Sequence, residues 1–203
     1  ILDPENGQVL AVVGETNLTG ESANLAAHRA GSSLTPFIYL TGFTRGLSPA
    51  SLLWDIPNES GIQNFDGNYH GPMRLRTALA NDYLVPAQGV LAQMGTENVT
   101  RISRSFGLDF DVLAFENALL PLLDLAAAYG TFAAEGVMRG QMVGERLEPV
   151  SVLEVLDADG TPWLDWRKAQ SQPVVTPQLA YLMNDVLSDE TARWASLGTS
   201  NAL

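Results

Sequence analysis

Apolar residues recur at helical spacing in several parts of the chain. Between residues 33 and 45 they favour a helix, with Pro36 in its tolerated first turn and Gly46 after its end. The segment 121–134 is apolar enough to predict a buried helix that ends before Gly136. We expect further helices over about 73–82, 86–94 and 97–106, and from Thr176-Pro177 onwards.

Strand patterns are fewer than helix patterns. Residues 8–13 predict a short apolar strand after the turn sequence Asp-Pro-Glu-Asn-Gly, and residues 150–166 predict a hairpin around a central Asp-Gly turn. The segments 14–30 and 54–72 are rich in turn-forming residues and predict loops, and a loop as long as the second is often functional. The predicted order is therefore strand, helices, hairpin, helix.

Length and charge limit the classes of function. The 203 residues suffice for one domain or slightly more, and the 46% of hydrophobic residues is typical of a globular protein. Acidic residues outnumber basic ones by 23 to 11, which gives a formal net charge of −12. Such a chain repels phosphate backbones and anionic lipid headgroups, so we expect no nucleic acid partner and no electrostatic attachment to membranes. The absence of cysteine excludes disulfides, thiolate metal sites and a cysteine nucleophile.

Neither a membrane span nor a signal peptide is visible in the sequence. No run approaches the roughly 20 apolar residues of a spanning helix, and the first residues lack a basic start and an apolar core. The turn at residues 3–7 needs a preceding strand, of which only Ile1 and Leu2 are present, and the last residues contain no complete periodic element. We therefore expect residues 1–203 to be a partial domain of a larger polypeptide.

The stretch AGSSLTPFIYL, residues 30–40, places a serine at a tight turn that leads into the first predicted helix. Ser32 can act there as a helix cap, whose oxygen accepts bonds from backbone N–H groups. It can also act as a nucleophile, because the amides and the dipole of a helix N-terminus stabilise developing negative charge. The local sequence alone favours the cap and leaves the nucleophile open.

For the other polar and aromatic candidates, we expect structural roles and not catalytic or metal-binding ones. Neither His28 nor His70 has partners at the spacing of zinc ligands, and we expect His70 to form hydrogen bonds within the long loop. Packing within the loop is also expected for Trp54, Phe65 and Tyr69. No metal and no cofactor is predicted.

Several blocks of the sequence resemble a known family. The blocks HRAGSSLTPFIYLTGFTRGLSPASLLWDIP and NFDGNYHGPMRLRTALANDYLVPAQGVLAQMG are similar to the transpeptidase domain of class A penicillin-binding proteins, and most similar to the type-C branch. LLDLAAAYGTFAAEG and PQLAYLMNDVLSDETARWASLG extend the resemblance over the whole chain in the family's order. The resemblance implies the α/β (α+β) fold of serine β-lactamases and transpeptidases. Helices pack on an antiparallel sheet in that fold, and we expect the last sheet strands to be missing here.

Three sequence motifs carry the chemistry of this family. The resemblance places the nucleophile at Ser32 and the lysine of the same motif, three residues later, at Thr35. It places the serine and the asparagine of the Ser-x-Asn motif at Asp82 and Leu84. The Lys-Thr-Gly motif is expected beyond Leu203.

These replacements predict a transpeptidase-like domain of peptidoglycan synthesis that is non-catalytic as it stands. The hydroxyl of Thr35 cannot take the serine proton as a neutral lysine amine does. Lys168, the only lysine in the sequence, is expected to be solvated, and Asp82 is the only replacement base, a weak one. A competent proton acceptor in hydrogen-bond contact with Ser32 would overturn the prediction.

Two alternative functions remain open at this point. One is an active D,D-transpeptidase that cross-links stem peptides through acyl-Ser32, and the other is a module that binds cell-wall peptide or a protein without chemistry. The resemblance implies peptidoglycan stem peptide, or a β-lactam, as the partner of a competent site. It also implies a glycosyltransferase on the same polypeptide and a location outside the cytoplasmic membrane, anchored by a segment outside this chain.

Overall fold

The computed structural model describes residues 1–13, 26–59 and 61–199. The chain forms two compact units, each made of three segments. The first unit comprises Ile1–Arg29, Arg104–Asp109 and Leu119–Ala180. The second comprises Ala30–Ser103, Phe110–Ala118 and Tyr181–Leu203.

Helices and short strands alternate along the chain. The strands are β1 (Leu2–Asp3), β2 (Gln8–Val9), β3 (Ala27–Arg29), β4 (Leu52–Asp55), β5 (Gly71–Arg74), β6 (Leu119–Pro121), β7 (Val137–Val143), β8 (Arg146–Glu148), β9 (Glu154–Leu156), β10 (Pro162–Asp165) and β11 (Gln170–Pro173). The α-helices are α1 (Thr35–Thr44), α2 (Leu75–Ala80), α3 (Leu84–Met94), α4 (Thr96–Ser105), α5 (Leu122–Ala133), α6 (Pro177–Leu187) and α7 (Trp194–Leu197). Two 3-10 helices span Gly31–Leu34 and Val112–Asn117.

Short antiparallel pairings build the first unit. A three-stranded sheet has the order β11-β7-β8, with Gln141 of β7 opposite Glu148 of β8. The pairs β1–β2, β3–β6 and β9–β10 form separate two-stranded sheets. Helix α5 lies against β7, and the buried rings of Phe106 and Phe132 are 5.0 Å apart. These aromatic rings add directional contacts to the core of this unit.

Helix α1 lies in the core of the second unit. Each of its residues from 35 to 43 is buried, as expected for a helix with apolar side chains on every face. It packs against α3 and also contacts α2. Strands β4 and β5 pair with each other in antiparallel register and enclose the loop 56–70. The core helix thus fixes the position of the turn that precedes it, where Ser32 lies.

The structure confirms the predicted helices and the hairpin. The six helices predicted from periodicity correspond to α1–α6, and the hairpin predicted over residues 150–166 is formed by β9 and β10. The predicted class of helices with antiparallel strands is confirmed as well. Among the described residues, no helix combines the length and the apolar character that crossing a bilayer requires.

Two predictions about strands and loops are corrected. The regular strand expected over 8–13 is limited to Gln8–Val9, because the N–H groups of Leu10 and Ala11 both donate to the carbonyl of Ile1, at 2.9 and 3.3 Å, and this irregular pairing breaks the ladder. The loop expected over 14–30 contains β3, whose three residues pair with β6. Residues 14–25 of that loop lie outside the described residues. The loop predicted over 54–72 is shorter than expected, because Trp54 and Asp55 belong to β4 and Gly71 and Pro72 belong to β5.

Candidate active site

Ser32 lies in the 3-10 helix that leads into α1. A left-handed backbone at Gly31 (φ 55°) forms the corner before it, and the N–H of Thr35 donates to the carbonyl of Ser32. The cap position of the 3-10 helix is Ala30, and that of α1 is Leu34. Ser32 occupies neither position, so the interpretation of Ser32 as a helix cap is wrong.

The side chains of Ser32 and Asp82 lie within hydrogen-bonding reach of each other. Asp82 lies in the turn between α2 and α3 with a positive φ of 59°, a conformation that aspartate adopts more readily than most residues. The side chain remains accessible to solvent, yet the surrounding protein partly desolvates it. This desolvation raises the pKa of Asp82, and the hydrogen bond from Ser32 opposes the rise. The fold therefore brings together two predicted site residues that are distant in sequence.

The other two predicted site residues begin helices. Thr35 is the first residue of α1 and is only 2% exposed, one helical turn beyond Ser32. Leu84 is the first residue of α3 and is half-buried. A hydroxyl and an alkyl side chain thus occupy the places where the resemblance puts an amine and an amide. Neither group can accept a proton from Ser32 at neutral pH.

Tyr39 is a buried polar residue that pattern analysis did not single out. Its hydroxyl has no hydrogen-bond partner among the described residues. Burial raises the pKa of Tyr39 well above its ordinary value, and the negative charges of Asp82 and Asp55 raise it further. Tyr39 is therefore a neutral phenol within electrostatic reach of Asp82. Tyr39 lies within the block HRAGSSLTPFIYLTGFTRGLSPASLLWDIP that carries the resemblance, and this was the signal that could have drawn attention to it.

A buried aspartate anchors the loop between β4 and β5. Asp55, at the end of β4, is fully buried, and its two oxygens accept from the Asn64 side-chain nitrogen at 2.9 and 2.8 Å. The backbone N–H of His70 donates to Asp55 Oδ2 at 3.0 Å, and His70 Nδ1 lies 2.6 Å from the same oxygen. His70 Nε2 lies 3.1 Å from Asp66 Oδ2, so the imidazole bridges two carboxylates. The prediction that His70 forms hydrogen bonds within its loop is confirmed.

The same loop caps helix α3. Tyr83, the residue before α3, provides no side-chain cap, and the Oδ1 atom of Asn64 accepts the N–H of Val85 at 3.2 Å instead. The imidazole of His70 stacks on Tyr83 with ring centroids 4.2 Å apart. Because these residues directly follow Asp82, the loop holds the backbone on one side of the Ser32–Asp82 pair.

Three aromatic side chains of this region are exposed. Trp54, Phe65 and Tyr69 are 58%, 65% and 41% exposed, so the packing expected for them is limited. The ring of Phe65 does stack with that of Tyr83, with centroids 6.2 Å apart. These side chains form an apolar surface beside the loop.

The basic side chains that the structure describes offer no base to Ser32. Lys168, between β10 and β11 in the first unit, is exposed, as predicted from the sequence. Arg76 of the second unit is paired with Asp185 and Asp189. An arginine guanidinium also stays protonated and accepts no proton. The acceptor that the described residues offer to Ser32 is the carboxylate of Asp82.

Comparison with known proteins shows similarity over most of the chain. Penicillin-binding protein 1C of Escherichia coli is 34% identical over 149 residues, which cover 66% of this chain and 19% of that protein. Penicillin-binding protein 1A of Vibrio cholerae is 31% identical over 153 residues, which cover 66% of this chain and 18% of that protein. The chain is homologous to part of the class A penicillin-binding proteins. It matches less than a fifth of the length of these two penicillin-binding proteins, and no family model matches it.

Solved structures of penicillin-binding proteins share the fold. PonA1 from Mycobacterium tuberculosis in complex with penicillin V has a TM-score of 0.78 at 19% identity, over 91% of this chain and 53% of that one. Penicillin-binding protein 1A from Haemophilus influenzae has a TM-score of 0.75 at 21% identity, over 100% of this chain and 35% of that one. Penicillin-binding protein A from Mycobacterium tuberculosis was solved as an imipenem acyl-enzyme complex. It has a TM-score of 0.68 at 14% identity, over 84% of this chain and 45% of that one. The predicted transpeptidase-like fold is thereby confirmed.

Proposed function

We propose that this penicillin-binding-protein homologue belongs to a transpeptidase-like domain of peptidoglycan synthesis in which Ser32 does not carry out D,D-transpeptidation. The observation that supports the proposal is the buried threonine at position 35, one helical turn from Ser32. The single lysine of the chain, Lys168, is exposed in the first unit. The amine on which the family's reaction depends is therefore missing from this helix.

Cleavage of a peptide bond by a serine requires two proton transfers. The serine must lose a proton as it attacks, and the departing amine must gain one. The hydroxyl of Thr35 has essentially no basicity at neutral pH, and the carboxylate of Asp82 is a far weaker base than an amine. Loss of the base in comparable serine enzymes lowers kcat on the order of 10⁴-fold or more. An unactivated amide should therefore react with Ser32 too slowly to sustain cross-linking.

The leucine at position 84 removes a second contribution to the reaction, a hydrogen bond that holds the substrate. The family's asparagine at this place holds an amide of the substrate, whereas Leu84 has no hydrogen-bonding group in its side chain. Leaving a substrate amide without a hydrogen-bond partner lowers the binding free energy by about 1–3 kcal/mol. Both steps, binding and proton transfer, are thus weakened at the same site.

Labelling with a fluorescent penicillin tests the proposal. We expect no covalent adduct on the chain by gel fluorescence and intact mass, under conditions in which Escherichia coli penicillin-binding protein 1C is labelled. Ser32→Ala is the matched control for non-specific labelling. An adduct of one penicillin per chain that maps to Ser32 and is lost in Ser32→Ala would contradict the proposal.

The homology also supports a proposal about the parent protein. We infer that residues 1–203 are a partial domain of a longer polypeptide that acts outside the cytoplasmic membrane, with an anchor and a glycosyltransferase outside this chain. The supporting fact is that the chain matches less than a fifth of the length of these two relatives. Determining the size of the native protein, and whether protease added to intact spheroplasts degrades it, tests both parts. A native protein of this length, or one protected from protease, would refute the inference.

The exposed aromatic side chains favour a second candidate function, the binding of cell-wall peptide without chemistry. Trp54, Phe65 and Tyr69 are exposed, and the ring of Phe65 stacks with that of Tyr83, which directly follows Asp82. Titration with a muropeptide should then quench tryptophan fluorescence with saturation in the unchanged chain and in Ser32→Ala. Trp54→Phe should abolish the part of the fluorescence quenching that comes from Trp54. A linear, non-saturating response would exclude this candidate.

A further inference from the structure

The two-stranded sheet of β4 and β5 exposes a row of apolar side chains. Leu52, Trp54 and Ile56 are 61%, 58% and 47% exposed, whereas the intervening Leu53 and Asp55 are 8% and 0% exposed. Because successive side chains of a strand point to opposite faces, the three exposed residues share one face. Adjacent apolar side chains of this kind indicate a binding surface more strongly than scattered ones do.

The partner strand places an arginine at one end of this row. Arg74 is directly opposite Leu52, and Pro72 is opposite Trp54. Both residues of β5 are exposed, and side chains directly opposite each other lie on the same face of a sheet. The surface formed by Leu52, Trp54, Ile56, Pro72 and Arg74 is called the β4–β5 face below.

Arg74 has no carboxylate partner among the described residues. Its Nη1 donates to the carbonyl of Ala50 at 2.8 Å, and the ion pairs within the described part of the chain do not include it. Asp55, the acidic residue of β4, is buried on the opposite face, where it is bonded to Asn64 and His70. A guanidinium has five N–H donors, so Arg74 retains donors for an anion from outside. The β4–β5 face thus complements a ligand with an apolar body and a negative end.

We propose that the β4–β5 face binds the C-terminal end of an extended peptide with apolar residues at alternate positions, and that Arg74 holds its terminal carboxylate. The inference rests on the second candidate function above, the binding of peptide without chemistry. It adds the features that such a peptide must have. Ser32 takes no part in this binding.

The spacing of the apolar row favours a peptide over other apolar anions. Alternate residues of a strand are about 6.7 Å apart, so the row from Leu52 to Ile56 repeats at that interval over about 13 Å. Alternate side chains of an extended peptide repeat at the same interval, and they can interdigitate with the row as the side chains of two facing sheets do. Trp54, in the middle of the row, offers the largest apolar contact. A fatty acid also has a carboxylate, but its chain has no such repeat.

The arginine determines the direction of the bound peptide. Arg74 lies opposite Leu52, so the last residue of the peptide lies at this end and the preceding residues run towards Ile56. The contact between guanidinium and carboxylate is a charge-assisted hydrogen bond. Because Arg74 is exposed, solvent weakens this contact, and we expect it to increase the affinity only about three- to fivefold.

Fluorescence anisotropy with a labelled peptide tests the inference. The probe is Val-Ser-Val-Ser-Val with fluorescein at its N-terminus and a free C-terminal carboxylate, and the comparison peptide ends in an amide. We expect saturable binding that is about three- to fivefold tighter for the acid, and equal binding of both peptides to Arg74→Gln. Trp54→Ala should weaken the binding of both peptides about tenfold, the scale of a central aromatic contact.

Two variants outside the β4–β5 face are matched controls. Arg101→Gln removes an exposed arginine of α4, and Trp163→Ala removes an exposed tryptophan of β10. Both should bind the acid and the amide as the unchanged chain does. Leu52→Ser is a second variant of the face should Trp54→Ala fail to fold, and it must also weaken the binding of both peptides.

Three results would overturn the inference. The first is a lack of saturable binding, or equal affinity of the acid and the amide for the unchanged chain. The second is equal binding of the rearranged peptide Val-Val-Ser-Val-Ser, or full displacement of the probe by decanoate at the same concentration, because the alternation would then have no role. The third is a dimer in sedimentation that is lost in Trp54→Ala, which would assign the face to a second copy of the chain.

The outcomes separate this inference from the proposed functions. A muropeptide that fails to bind while the alternating peptide binds would contradict only the cell-wall candidate. Binding of the muropeptide without binding of the alternating peptide would contradict only this inference. A penicillin adduct on Ser32 would contradict the absence of transpeptidation and leave the β4–β5 face unaffected.

Discussion

Replacement of Asn64 by alanine removes a side chain that connects three segments of the second unit. Asn64 is 4% exposed, and its nitrogen donates to both oxygens of Asp55 and to the carbonyl of Asn68 at 2.8 Å. Its oxygen accepts the N–H of Val85 at the start of α3. An alanine methyl group can replace none of these contacts, so the carboxylate of Asp55, the carbonyl of Asn68 and the N–H of Val85 all lose hydrogen bonds.

The expected loss of stability follows from the two groups left behind. A hydrogen bond to the ionised carboxylate of Asp55 contributes about 1.5–3 kcal/mol, and a buried N–H without an acceptor at Val85 costs about 1–3 kcal/mol. Asp55 still keeps the two contacts with His70, at 3.0 and 2.6 Å. We therefore expect Asn64→Ala to lower the free energy of unfolding by about 3–5 kcal/mol, a large part of the stability of a typical domain.

Urea unfolding, followed by circular dichroism in the helix band, measures this change in the free energy of unfolding through the midpoint and the slope of the transition. Asn68→Ala is the matched control, since Asn68 is an exposed residue of the same loop whose side chain interacts with the neighbouring Asp66. Its effect should stay within about 0.5 kcal/mol. A loss below about 1 kcal/mol in Asn64→Ala, with an unchanged slope, would refute the view that this loop and the start of α3 depend on one buried amide.

Two further predictions concern Asp82 and the glycines of the first unit. Because burial raises the pKa of Asp82 above its ordinary value of 3.8, its charged form opposes folding at neutral pH, and this cost disappears below the unfolded pKa. Asp82→Asn should therefore raise the Tm at pH 7, with a gain that shrinks as the pH falls towards 4; equal Tm values at pH 7 would contradict this sign. Gly136 (φ +86°) and Gly160 (φ +80°) are both left-handed, but only at Gly136 would a Cβ atom approach a carbonyl oxygen, that of Val175, to 2.4 Å. Gly160→Ala should cost about 1–2 kcal/mol of backbone strain in urea unfolding, and Gly136→Ala distinctly more; similar costs would show that the chain at Val175 yields easily.

Sequence patterns located the helices because their apolar periodicity is dense and their ends are marked. Pro36 stands in the first turn of α1, and Gly136 follows α5 with the positive φ expected of a glycine after a helix. Several strands gave no such pattern. The four residues of β11 are all exposed, and those of β3 are too, so neither strand shows the alternation of a half-buried sheet. Their strand conformation comes from pairing with β7 and β6, which is not encoded locally.

The site was predictable only in part, for a related reason. The resemblance aligned Ser32 and Asp82 with family positions, yet their hydrogen bond depends on how α2 and α3 place a turn beside α1. Of the polar network around Asp55, only the hydrogen bonding of His70 was predicted. The burial of Asp55 was not, because an aspartate in a polar stretch is normally solvated and becomes buried here only because Asn64 and His70 surround it. The sequence indicated an ordered, functional loop there, without showing which side chain organises it.

The two substitutions at the site also change its electrostatics. In the family's motif a lysine follows the serine by one turn, and its amine serves as the base. Here Thr35 carries no amine, and Asp82 adds a carboxylate, in a chain whose net charge is already −12. Penicillins and stem peptides carry a carboxylate of their own, so we expect the charge of Asp82 to oppose their approach to Ser32. The absence of penicillin labelling that we propose thus has two physical causes, the missing amine and the added negative charge.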